Sequence, residues 1–293
     1  MTENRFPQLS ELSLEIKKGP EASVLDRCYF TPPFKITSPF YGEDGRASIM
    51  VMSASAGLMA GDRQRINVRV ERGASAEIGS QSFEKVHRMD ENQSARRETT
   101  LTVESGGLLI YVPLPVIPFA HSAFESCTAI YLRDAASRLA YSEILSCGRS
   151  ARGERFAWRR YKNRVRVFEA DKLIYFDHSD FRPAETDMEN FAMFEGYSHF
   201  SNLLLVNIPL SPEQQEEISR DIRRFPGGVG GVTRTGSGAL CVRTLGNSAE
   251  AALEQHRQIL DMVCGGSLLL PPGKEEMVSA YTADANAGPQ GDR

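Results

Sequence analysis

The chain has 293 residues, 41% of them hydrophobic and 25% charged, which is an ordinary composition for a globular protein and ample length for a sizeable core. A formal net charge of −4 gives no basic footprint of the kind a nucleic-acid binder carries. Five cysteines, odd in number and without a CxxC pair, fit reduced thiols in a cytoplasmic protein better than a disulfide framework. The sequence opens without an apolar leader, and no apolar run approaches the ~20 residues that span a bilayer, so neither secretion nor membrane insertion is expected.

Taken in chain order, most of the sequence reads as strand. Leu12, Leu14 and Ile16 alternate with polar neighbours, as do Ile66, Val68 and Val70, then Leu101 and Val103, then Val165 and Val167. A period of two with β-branched residues marks half-buried strands. Turn signals fall between them at Asp44-Gly45, Arg72-Gly73, Ser105-Gly106-Gly107 and Gly246-Asn247. Residues 55–62, Ser-Ala-Gly-Leu-Met-Ala-Gly-Asp, lack the Gly-Lys-Ser/Thr of a phosphate loop. Two readings stand for Asp62: a carboxylate that closes its own turn, or one aimed into a cavity. The run 111–119, Tyr-Val-Pro-Leu-Pro-Val-Ile-Pro-Phe, has three prolines. It is not expected in a central strand, because proline lacks the ladder donor. An edge segment, an exposed docking patch and a buried crossing all remain open for it.

Residues 139–156 place Glu143 and Glu154 on either side of a Gly148-Arg149 turn. The basic stretch 152–166 that follows reads as the solvated face of a strand, or as a docking surface for an acidic partner. The five histidines, His87, His121, His178, His199 and His256, are not paired at zinc-site spacing. No Gly-x-Ser-x-Gly elbow supports a nucleophilic serine. Two helices are expected late in the chain. Ser211-Pro212-Glu213-Gln214 has the form of a capping box, with Ile218 and Ile222 on one face and Pro226-Gly227 beyond the end. The second runs from about Ala249 to Cys264, carries Leu253, Leu260 and Val263 at helical spacing, and stops at Gly265-Gly266. From 271 onward the composition is that of a disordered tail, leaving one β-rich domain over residues 1–270.

Several segments in combination resemble the urease accessory family UreD, called UreH in some bacteria. They are Phe30-Thr31-Pro32-Pro33-Phe34-Lys35, Gly57-Leu58-Met59-Ala60-Gly61-Asp62, Ser80-Gln81-Ser82-Phe83-Glu84-Lys85-Val86-His87 and Leu114-Pro115-Val116-Ile117-Pro118-Phe119. Tyr141-Ser142-Glu143 with Gly148-Arg149, Phe194-Glu195-Gly196-Tyr197-Ser198-His199 and Leu240-Cys241-Val242-Arg243 complete the set. The first and fifth look closest to the UreH type. The resemblance implies a mainly β fold of stacked strands, β-helix-like, with about two α-helices in the C-terminal part. It implies a non-enzymatic maturation factor that binds apo-urease subunits and the accessory protein UreF, acts with the GTPase UreG, and holds no permanent cofactor. Nickel would be its cargo in transit, through an internal tunnel whose acidic residues map to Asp62, Glu143 and Asp177. The sequence departs from the common pattern at Ala56, Gly79, His87 and Asp177, the last at a position often held by glutamate.

Two other classes of function compete. A β-rich hydrolase would use Glu143 and Glu154 as an acid/base pair, as glycoside-cleaving enzymes use two carboxylates, although Trp158 is the chain's one tryptophan and no stacking platform surrounds the pair. A generic binding module would have no metal role.

Overall fold

A computed structural model describes residues 9–267 and 269–270. The first strands are β1 (Leu9–Lys18), β2 (Ser23–Phe30), β3 (Phe34–Ile36), β4 (Phe40–Tyr41), β5 (Ala47–Ser53), β6 (Arg63–Val70), β7 (Ser75–Ser80), β8 (Glu84–Val86) and β9 (Ala95–Val103). Next come β10 (Leu108–Val112), β11 (Val116–Pro118), β12 (Ala123–Leu132), β13 (Arg138–Ser146), β14 (Arg160–Glu169), β15 (Lys172–Phe181) and β16 (His199–Val206). Helix α1 (Pro212–Arg223), strands β17 (Gly228–Arg234) and β18 (Leu240–Gly246), and helix α2 (Ala249–Cys264) follow.

The chain winds alternately between two sheets. One has the order β15-β14-β12-β9-β6-β1-β2; the other runs β17-β18-β16-β13-β10-β7-β5-β3. In the first, β1, β6, β9, β12 and β14 are parallel. In the second, β5, β7, β10 and β13 are parallel. Successive coils therefore stack like a β-solenoid, as the resemblance implied. Reversed strands close the parallel series: β2 on β1 and β15 on β14 in the first sheet, β16 on β13 in the second.

Register turns sequence alternation into rows of like residues. Leu14, Val68, Leu101, Ile130 and Val167 are aligned neighbours. They pack against Ile49, Ile78, Leu109 and Leu139 of the facing sheet in one buried cluster, and each such side chain contributes about 1.5–3 kcal/mol relative to exposure. The second sheet is covered on both faces. Its outer side chains, Ile110, Ala140, Leu203 and Leu205 among them, lie under Ile218 and Ile222 of α1 and Leu253 and Leu260 of α2.

Both helices form where their caps place them. Ser211 accepts from the Gln214 amide and the Gln214 side chain answers it, completing the capping box. Ser248 caps α2, which stops at Gly265 in the left-handed region. The proline-rich run departs from expectation. Tyr111 and Val112 belong to β10, a fully buried central strand, because the prolines begin only at 113. Val116–Pro118 then pairs with β8, and Pro115 and Pro118 are buried, so the segment is a packed crossing rather than an exposed patch. The basic stretch is largely a strand face: Arg160, Lys162, Arg164 and Arg166 alternate outward along β14, and Arg160 and Lys162 pair with Asp180 and Glu125. The tail expected from 271 lies outside the described residues. Among the described residues no helix is long and apolar enough to cross a membrane.

Candidate functional site

At one end of the coils the inward rows turn from aliphatic to polar. Gln64, Arg97, Ser126, Asn163 and Ser179 are aligned neighbours on β6, β9, β12, β14 and β15. A cavity of about 170 Å³ lies against this row, bounded across the interior by Tyr111, Tyr141 and Glu143. Exposed residues at its lining, Ser55, Ala56, Ser82 and Lys85, mark its opening. A second space of about 10 Å³ adjoins it, roughly the room of one water. Glu143, Ile144, Tyr161 and Asn163 border both spaces, and Asp177 and Ser179 border the smaller one.

Glu143 is the central carboxylate. Tyr141 donates its hydroxyl to Glu143 Oε1 at 2.6 Å, and Asn163 Nδ2 donates to the same oxygen at 2.8 Å. Protein surrounds the carboxylate, and the surface that the half-buried residue retains borders the two spaces. Burial raises its pKa above the usual carboxylate range, against the pull of the Tyr141 and Asn163 hydrogen bonds. Burial, then the neighbouring carboxylate, holds the Tyr141 hydroxyl well above its ordinary value, so it stays a donor. Asn163 is 8% exposed and its Oδ1 has no partner among the described residues.

The other predicted residues fall differently. Asp177 is half-buried on β15 and accepts from Arg243 Nη2 at 2.8 Å. Its neighbour His178 points to the opposite, exposed face of the strand, so the two form no acid–imidazole pair. Asp62 lines neither space. Its Oδ2 accepts from the Met59 amide at 2.7 Å, closing the turn that carries Gly57 to Gly61. That turn borders the opening: Leu58 N donates to Lys85 O at 2.8 Å, and a Cβ on Gly57, at φ +140°, would stand 2.3 Å from that carbonyl. Glu154 also lies outside both linings. Arg149 Nε donates to it at 2.8 Å, the Ala120 amide at 3.2 Å, and the guanidinium holds its carboxyl below the usual range. A carboxylate so held makes a poor proton donor, and Glu143 and Glu154 share no cavity, so the acid/base reading has no site to work in.

Sequence reading missed four lining residues. Glu84 on β8 and Arg97 on β9 form a close ion pair, and Gln64 Oε1 accepts from Arg97 Nε at 2.8 Å and Nη2 at 2.6 Å. Asn163 is the fourth. The signal was present: stepping two residues back from Ile66, Thr99, Thr128 and Val165 along the inward face gives Gln64, Arg97, Ser126 and Asn163. Among the described residues no three of His, Cys, Asp and Glu come together as a metal-holding group.

Fold and site together define a β-solenoid with a polar, partly hollow interior, in which the carboxylate of Glu143 is held by Tyr141 and Asn163. A sequence profile of the UreD urease accessory protein family matches residues 8–277. The urease accessory protein UreH of Helicobacter pylori strain J99 is 36% identical over 261 residues, covering 89% of this chain and 97% of the relative. UreD of Acetivibrio thermocellus is 36% identical over 261 residues, covering 88% and 99%. UreD of Actinobacillus pleuropneumoniae is 28% identical over 249 residues, covering 82% and 92%. The chain belongs to the UreD/UreH family of urease accessory proteins, and its role lies in urease maturation, not in a catalytic reaction of its own.

Proposed function

We propose that this chain assists nickel delivery to apo-urease in the cytoplasm, as a scaffold that binds the urease subunits and UreF and works with UreG, and that nickel passes through its interior by way of Glu143. The observation that carries the reading is Glu143 itself, a buried carboxylate bordering both interior spaces and held, among the described residues, by neutral donors. A hard oxygen ligand with water suits passage, whereas imidazole or thiolate sites hold nickel more tightly and favour storage. Asp177 borders the smaller space and not the larger one. Asp62 supports the route at one remove, by closing the turn beside the opening of the larger one.

The test is urease activation in cells carrying the wild-type chain, Glu143→Gln, or the double variant Asp62→Ala/Glu143→Ala, with nickel measured in the purified urease. The expected result is under-loaded urease although the variants still co-purify with UreF. Full nickel loading by variants that still assemble would overturn the acidic route.

A further inference from the structure

Among the described residues three carboxylates border the two interior spaces: Glu84, Glu143 and Asp177. Two of them carry an arginine. Glu84 is paired with Arg97 on the larger space, and Asp177, which borders the smaller one, is paired with Arg243. Glu143, between them, accepts from Tyr141 and Asn163 and has no arginine partner among the described residues. Each arginine also has a second, neutral holder. Gln64 Oε1 takes two hydrogen bonds from Arg97, whose guanidinium lies 5.7 Å from the Phe124 ring centre. The Tyr175 hydroxyl accepts from Arg243 Nη2 at 3.2 Å. A guanidinium so held keeps its place when its carboxylate turns away. It also keeps its charge, since arginine does not deprotonate in proteins.

We propose that Arg97 and Arg243 are charge gates at the two ends of the interior route: each neutralises the outer carboxylate, so that a divalent cation engages it only in exchange for the guanidinium and is not trapped there. This rests on the nickel-route reading. The physical reason is that a fixed positive charge beside an oxygen ligand opposes a dication more strongly than a monocation, and does so most in an enclosed, poorly screened space. Without such counter-charges, three carboxylates in series would hold nickel longer than Glu143 alone does. The arginines are positioning residues in this account, acting through Glu84 and Asp177.

The experiment titrates nickel(II) alone into the full chain in competition with a chromophoric chelator, at near-physiological salt, for wild type, Arg97→Gln, Arg97→Lys and Arg243→Gln. Each glutamine variant is expected to bind nickel about tenfold more tightly than wild type, the order expected for removing one nearby unit charge from partly screened surroundings. Arg97→Lys keeps the charge but not the paired hydrogen bonds to Gln64, and is expected to match wild type. Unchanged or weaker binding in the glutamine variants overturns the gates. So does a lysine variant that shifts as far as the glutamine variant, because hydrogen-bond geometry would then be the cause. Should Arg97→Gln fail to fold, Arg243→Gln carries the test, since its side chain is 46% exposed. Normal nickel loading with Glu143→Gln would sink the route and the gates together. Lost loading with Glu143→Gln beside unaltered nickel affinity of the arginine variants would sink the gates alone.

Discussion

Replacing His256 by asparagine separates the pH response of the α2 interface from that of the rest of the chain. His256 is fully buried on α2, its Nδ1 lies 2.9 Å from Ser142 Oγ on β13, and its Nε2 has no partner among the described residues. Burial pushes its pKa down to about 3, from about 6.5 in an unfolded chain. As pH falls below about 6.5 the unfolded state takes up the proton first, so the stability contributed by the neutral imidazole is present above that pH and drains away towards about pH 3. At about pH 5 the chain is roughly 1.5 pH units into this window, which at ~1.4 kcal/mol per unit gives a loss of about 2 kcal/mol. His256→Asn offers Ser142 an amide oxygen and does not titrate. It should cost about 1–2 kcal/mol near pH 7 through lost packing, yet lose about 2 kcal/mol less than wild type on going to about pH 5. Urea unfolding of both chains at the two pH values measures the difference directly. A gap between wild type and variant that stays constant with pH would refute the reasoning.

Two further outcomes bear on the site. Gly57→Ala forces a Cβ to within 2.3 Å of Lys85 O at a φ of +140°. It should destabilise the chain by roughly 2–4 kcal/mol in thermal or urea melts, and a loss below about 0.5 kcal/mol would mean that the turn beside the opening relaxes freely. Glu154→Gln breaks the ion pair with Arg149, whose partners are 29% and 22% exposed. It should cost under about 1 kcal/mol and leave urease nickel content unchanged, so a collapse of loading would place Glu154 on the route after all.

Legibility in the sequence followed solvent. The strands read from alternation, those around Leu14, Val68, Leu101 and Val167, all belong to the first sheet, whose outer face meets water. The strands of the second sheet were hidden because α1 and α2 cover their outer face. Leu108–Val112 is buried throughout, and such a run has no period to read. The same effect obscured the start of the proline-rich run, where Tyr111 and Val112 complete a central strand before the first proline. Both helices were legible because caps are local chemistry. The family resemblance brought Glu143 forward, but not its setting. Alternation puts Arg97 and Asn163 on the inward face, but it takes the register to show that Gln64, Arg97, Ser126 and Asn163 stand side by side in one row.

The stacking of parallel coils also makes the interior a ruler. Neighbouring strands in a sheet stand about 4.8 Å apart, so the polar row from Gln64 on β6 through Arg97, Ser126 and Asn163 to Ser179 on β15 advances by that step from strand to strand. Side chains can tune what each position of the row presents to the interior. They cannot alter the spacing of those positions, which is fixed by backbone hydrogen bonding. Lengthening or shortening the row would take a whole coil, added or removed between the reversed strands that close the series.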